Sequence, residues 1–283
     1  MSSLPDPVRL VIFDLDGVVY RGDEPIVAAV RLVDRLQGSN VLVRFATNNS
    51  MVTREAYVER LAAMGIRAGR EEIVTSTSAT VDHLRRDAPE VRRVLAVGER
   101  GIADELRSAG YLVTPAADAL PDAYDGGPLS DAYDAVVVGI DRAFDYTRLA
   151  AASAAIRAGA RFIATNTDGR YPTRGGFLPG AGSMVEAVRV ASGVTPLVIG
   201  KPEPAMFRSI LESSGVAAAD ALVIGDNPDA DIVAARRAGI ASVLVLTGVA
   251  NAAIAAQLEG ERRPDLVVRD ADELAALLRP SRV

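Results

Sequence analysis

Short apolar runs that stop abruptly in polar or acidic clusters recur along the chain, separated by stretches of helical period. Residues 9–14 read as a buried strand, followed by Leu-Asp-Gly-Val-Val-Tyr. Residues 25–36, with Ile26, Val30, Val33 and Leu36 on one face, predict a helix. Residues 41–46 predict a second buried strand, ending in Thr47-Asn48-Asn49-Ser50. Thr53 is placed to cap a helix that runs to Met64 and stops at Gly65. A strand at 73–75 and a helix to about residue 86 continue the alternation.

A second αβ pattern starts near Val91. Strands are predicted at 94–97, 111–113, 135–138 and 161–164, and helices at 101–109, 147–158 and 183–191. Two loops interrupt it. Residues 115–134 are rich in Asp, Pro and Gly and are expected to be mobile and without chemistry; residues 165–182 are a long polar loop of the kind that carries function. The first pattern then resumes. Strands at 197–199, 222–224, 242–246 and 266–268 alternate with helices at 204–213, 232–238, 251–258 and 270–278. Strands alternating with helices predict a doubly wound parallel α/β sheet of Rossmann-like type.

In such a sheet all strand C-termini lie on one edge, where ligands bind. The ends of the outer pattern carry Asp14 and Asp16, Thr47 and Asn48, Lys201, and Asp226 and Asp231. An isolated Asp-x-Asp-Gly fits an acidic turn equally well, and Asn48 and Asn49 taken alone fit an Asx turn. Together the groups form carboxylates that repel unless a hard cation joins them, and oxygen ligands of this kind suit Mg²⁺. The hydroxyl, the ammonium and backbone amides at helix starts suit phosphate oxygens.

Composition narrows the chemistry. There is no cysteine and one histidine, His83, so thiolate sites, disulfides and multi-histidine metal sites are excluded. Acid–base work then falls to carboxylates, hydroxyls or lysine. Thirty of the 31 basic residues are arginine. The single lysine, Lys201, stands where a compact ammonium rather than a planar fork is called for. A net charge of −6 argues against nucleic acid as a partner. No apolar run is long enough for a membrane span, and no leader peptide is visible, so a cytoplasmic location is expected. Neither a dinucleotide fingerprint nor a Walker loop is present.

Asp14-x-Asp16, Thr47, Lys201-Pro202 and Gly225-Asp226-x-x-x-x-Asp231 resemble, in order, the four motifs of the haloacid dehalogenase superfamily. Phe-Asp-Leu-Asp-Gly-Val-Val-Tyr and Thr-Asn-Asn-Ser resemble its phosphatases with a large α/β cap between the second and third motifs. That group includes phosphoglycolate, glycerol-phosphate and p-nitrophenyl phosphate phosphatases. Gly139-Ile140-Asp141-Arg142, Thr165-Asn166-Thr167-Asp168 and Leu178-Pro179-Gly180-Ala181-Gly182 resemble the cap. Ala230 departs from the group, which usually has Thr there.

The resemblance implies a core at 1–81 and 183–283 with a cap at 82–182. It implies a Mg²⁺-dependent phosphatase of small phosphorylated metabolites, with glycerol 3-phosphate or 2-phosphoglycolate as the expected substrate. Asp14 is the expected nucleophile, forming an aspartyl phosphate, and Asp16 the acid and base. Asp14, the Asp16 carbonyl and Asp226 are the expected metal ligands. Thr47, Asn48, Asn49 and Lys201 would bind phosphate, with Asp231 and Asn227 supporting them. Asn166, Asp168 and Arg170 are the candidate substrate contacts in the cap, through which a homodimer could form. Sugar-phosphate or nucleotide phosphatases of the same fold are alternatives. A phospho-signalling receiver shares the acidic, Thr and Lys pattern but is shorter and lacks a cap. A non-catalytic phosphometabolite-binding protein would retain the fold without turnover.

Overall fold

The computed structural model describes residues 4–119, 132–173 and 176–278. The chain divides into two compact units: residues 1–47, 55–74 and 201–283 form the first, and 48–54 and 75–200 the second. The sequence boundaries expected at 81/82 and 182/183 fall elsewhere. Helices Ser76–Asp87 and Ala181–Ser192 both belong to the second unit, where Val185 and Val188 join its apolar core.

The six-stranded sheet of the first unit runs Leu266–Val268, Ala241–Val245, Ala221–Gly225, Leu10–Asp14, Leu42–Thr47, Ile73–Thr75. In chain order that is 3-2-1-4-5-6, the doubly wound arrangement whose switch point lies between its first and fourth strands. These are Leu10–Asp14 and Ala221–Gly225, paired in parallel with Leu10 opposite Ala221 and Phe13 opposite Ile224. On its other side the first strand pairs in parallel with Leu42–Thr47, Asp14 opposite Ala46. Leu10 to Phe13 are fully buried, because helices cover both faces of a parallel sheet and leave no polar alternation. Phe13 and Phe45 meet at 6.0 Å between ring centroids, in a core that also takes in Val11, Leu32, Tyr57, Leu222 and Val243.

The second unit has its own parallel sheet, Leu197–Val198, Arg161–Ala164, Ala135–Val138, Arg93–Val97, Leu112–Pro115. One expectation is corrected here. The run at 197–199 is a two-residue strand on the edge of this sheet, with Leu197 opposite Ile163, and does not join the first unit's sheet. So few residues carry no pattern that could name their partner, and the ladder was open to either sheet. The long polar loop also proves partly ordered: Arg170–Thr173 and Gly176–Pro179 pair as an antiparallel hairpin. The helix expected at 251–258 is confined to Ala252–Ala255, capped by the Asn251 side chain. Most of the 115–134 loop, residues 120–131, lies outside the described residues. Among the described residues no helix is long and apolar enough to cross a membrane.

Candidate active site

The switch point brings its two strand ends side by side. Asp14 closes the first strand, and Asp226 follows the neighbouring strand Ala221–Gly225. The chain then reverses tightly. Gly17 N–H donates to Tyr20 O at 2.7 Å, Val19 N–H to Leu15 O at 2.8 Å, and Asp16 bridges to Tyr20. Leu15 is fully buried between the two aspartates. The strand itself ends at Asp14, so Asp16 stands in the turn, and its side chain is exposed.

Lys201 reaches this edge without being a strand end of the first sheet. It follows the edge strand of the second unit and precedes helix Ala205–Ser214. Its Nζ donates to Asp14 Oδ1 at 2.5 Å, to Asp231 Oδ1 at 2.6 Å and to Ala46 O at 3.3 Å, and the residue is 3% exposed. An ammonium with three donors fits three acceptors arranged around one point; a guanidinium fork does not.

Asp231 is saturated by the protein. Oδ1 takes the ammonium, while Oδ2 accepts from Asp226 N–H at 3.2 Å and Asn227 N–H at 3.0 Å. Asn227 contributes that backbone donor, while its side chain caps the helical turn Pro228–Ile232 by accepting from Asp229 N–H at 3.0 Å. Ala230 therefore leaves no oxygen of Asp231 unsupported.

Oxygens of Asp14, Asp226 and Asp231 lie within 4.8 Å of one another. One ammonium faces three carboxylates, and the imbalance shows in their acidities. Burial, reinforced by Asp231 and Asp226 and opposed by Lys201, raises the Asp14 carboxyl well above the ordinary range. Burial and then Asp231 push Asp226 up to about 7. Burial alone would lower the Lys201 pKa, but Asp14 and Asp231 outweigh it and raise it. Desolvation also raises Asp16, against the Arg60 guanidinium. Hard oxygen donors with a deficit of positive charge are what a small divalent cation satisfies, so the residues present fit Mg²⁺. Asp14 and Asp226 are the carboxylates with capacity to hold it; Asp231 is already spent.

Thr47 is buried at the end of strand Leu42–Thr47. The remaining predicted residues lie in the second unit. Asn48 Nδ2 donates to Asp168 Oδ2 at 3.0 Å, and Asn48 O accepts from Ser76 Oγ at 2.7 Å and Asn166 Nδ2 at 2.8 Å. Asn166 Oδ1 accepts from Asp168 N–H at 3.1 Å. Asn49 Oδ1 accepts from Met51 N–H at 2.9 Å, an Asx turn. Asn166 and Asp168 thus brace the turn that begins at Asn48. Arg170 is exposed on the hairpin, 5.6 Å from the Phe177 ring centroid. The sequence reading missed Val249, whose N–H donates to Asp226 Oδ2 at 2.6 Å; a backbone donor has no side-chain signature to find.

A 3-2-1-4-5-6 sheet with acidic groups and one lysine at its switch point makes a site of the phosphoryl-transfer kind. The family comparison agrees with that class. A haloacid dehalogenase-like hydrolase model matches residues 11–112, and a HAD-hydrolase-like model matches 198–274. D-glycerol 3-phosphate phosphatase of Mycobacterium tuberculosis is 35% identical over 270 residues, covering 95% of this chain and 72% of that protein. The 5′-nucleotidase YutF of Bacillus subtilis is 37% identical, covering 84% of this chain and 87% of that protein. The crystal structure of glycerol phosphate phosphatase from Mycobacterium tuberculosis in complex with magnesium superimposes with a TM-score of 0.84 at 34% identity, covering 99% of this chain and 80% of that one. The chain belongs to the haloacid dehalogenase-like hydrolases, among their capped phosphatases.

Proposed function

We propose that this protein is a Mg²⁺-dependent phosphoric monoester hydrolase of small phosphorylated metabolites, with glycerol 3-phosphate as its first candidate substrate and 2-phosphoglycolate as its second. The observation that carries the chemistry is the Asp14–Lys201–Asp231 chain at the switch point, beside the buried Asp226. Asp14, Asp226 and the Asp16 carbonyl would hold Mg²⁺, which when bound would supply positive charge to keep Asp14 ionised and offset the phosphate dianion.

Asp14 is the nucleophile. Its free oxygen attacks phosphorus, a P–O bond to Asp14 forms, and the ester P–O bond breaks. Asp16 gives its proton to the leaving alkoxide; desolvation raises its pKa and favours the protonated form it needs. In the second half, Asp16 takes a proton from water, the water oxygen attacks phosphorus, and the bond to Asp14 breaks. Inorganic phosphate leaves and Asp14 is restored. Lys201 fixes the Asp14 carboxylate and offsets charge on the phosphoryl oxygens, and Asp231 holds Lys201. Thr47 and the turn Asn48–Asn49 bind the phosphoryl group. The second unit acts as the cap, with Arg170 as a contact to the leaving group and Asn166 and Asp168 behind the turn.

The name of the nucleotidase relative keeps nucleotides in view, and sugar phosphates remain the other substrate alternative. Exposed Val190, Val194 and Leu197 on the second unit fit a homodimer through that unit. The test is phosphate release with and without Mg²⁺ from glycerol 3-phosphate, 2-phosphoglycolate, a sugar phosphate, a nucleoside monophosphate and p-nitrophenyl phosphate, beside Asp14→Asn. Release that requires both Mg²⁺ and Asp14 is expected, and the ranking of esters names the substrate. Folded protein that releases phosphate from none of them sinks the assignment.

A further inference from the structure

Asp226 is gripped by a segment that belongs to none of the four motifs. Residues 247–250 follow strand Ala241–Val245. Val249 N–H donates to Asp226 Oδ2 at 2.6 Å, and Ala250 N–H donates to the Asp226 main-chain oxygen at 3.1 Å. Thr247 Oγ1 donates to Gly17 O at 2.6 Å, and Arg21 Nε donates to Thr247 O. The segment therefore ties together three stretches distant in sequence: the turn after Asp16, the Asp226 loop and the end of the fifth strand of the sheet.

Two glycines make the approach possible. A Cβ at Gly248 would lie 1.9 Å from Asp226 Oδ2, and one at Gly17, where φ is +87°, would lie 2.4 Å from the same oxygen. Neither distance is open to a real side chain, so the backbone at Gly17 and Gly248 packs directly against the Asp226 carboxylate. Oδ2 accepts the Val249 amide, which fixes the orientation of the carboxylate beside Asp14.

We propose that Thr247, Gly248 and Val249, acting with Gly17, are positioning residues for the Asp226 carboxylate and set the protein's affinity for Mg²⁺. The inference rests on the metal reading above. Thr247 holds Gly17 in place through its hydroxyl. Gly248 admits the carboxylate to the backbone. The Val249 amide fixes its rotation. Groups that orient a metal-binding side chain change metal affinity by about 10–100-fold when removed.

The experiment is calorimetric titration of Mg²⁺ into the parent protein, Thr247→Val and Gly248→Ala, with thermal unfolding in EDTA run beside it. Thr247→Val keeps the shape of the side chain and loses only the donor to Gly17, so it is the variant expected to fold normally. A several-fold rise in the Mg²⁺ dissociation constant is expected for Thr247→Val and about tenfold or more for Gly248→Ala. The Mg²⁺ concentration for half-maximal phosphate release shifts in parallel, while KM for ester at saturating Mg²⁺ stays at the parent value. A purely structural segment would lower the unfolding temperature and leave the dissociation constant unchanged, and that result overturns the proposal. If the parent itself binds no Mg²⁺, the metal reading falls and takes the inference with it; parent binding with unaltered variants sinks the inference alone.

Discussion

Lys201→Met removes the one ammonium from among three carboxylates, Asp226 and Asp231 buried and Asp14 partly so, while keeping a similar volume. In the parent, Nζ touches Asp14 and Asp231 at 2.5 and 2.6 Å, and neither Lys201 nor Asp231 is more than 3% exposed. Breaking a buried ion pair by removing one partner costs about 3–5 kcal/mol, because the remaining charge is left uncompensated. Asp14, whose carboxyl pKa burial already raises, can escape part of this by taking up a proton, so the lower end, about 3 kcal/mol, is expected in metal-free protein near neutral pH. For a domain of this size that is a fall in unfolding temperature of roughly 6–12 °C. Mg²⁺ restores part of the balance, so its stabilising effect is larger in the variant than in the parent. The assay is urea unfolding followed by circular dichroism, in EDTA and in excess Mg²⁺. A difference below about 1 kcal/mol in EDTA, the level of an exposed ion pair, would refute the claim that this ammonium balances the cluster.

The raised Asp226 carboxyl predicts how metal-free stability varies with pH. Its folded pKa of about 7 exceeds the ordinary 3.8, so the folded state binds the proton more tightly than the unfolded state does. The contribution is fully present below the unfolded pKa and is lost as pH rises through the folded one; metal-free protein should lose up to about 4 kcal/mol over that window, and Mg²⁺ should flatten the curve. A metal-free stability that rises between acid and neutral pH would contradict this sign. Asn166→Ala removes two hydrogen bonds of a buried side chain, to Asn48 O and from Asp168 N–H, and should cost about 1–2 kcal/mol. Because Asn166 braces the Asn48 turn, phosphate release should fall by a similar factor for every ester; a change in the ranking of esters would instead make it a substrate contact.

The catalytic candidates were legible because their signals are local. A carboxylate, hydroxyl or amide at the end of an apolar run is visible within a few residues, and Asp14, Thr47 and Asp226 stand at the strand ends where that pattern put them. The singularity of Lys201 was likewise a property of composition, although its route to the site was misread: residues 197 and 198 are too few to show which sheet they join. Asn166 and Asp168 were expected as substrate contacts; their side chains bond instead to the Asn48 turn, a partnership their sequence position does not reveal.

What the sequence determined by itself was the alternation of strands and helices, the two α/β patterns and the inventory of oxygens and one ammonium for the site. Strand order, the switch point between Leu10–Asp14 and Ala221–Gly225, the saturation of Asp231 and the grip of residues 247–250 on Asp226 were decided only by the tertiary structure. The physical reason is range. Periodicity and strand-end chemistry act within a turn or a strand, whereas ladder partners and close backbone approaches join residues more than 200 positions apart, and backbone amides leave no mark in the amino-acid alphabet.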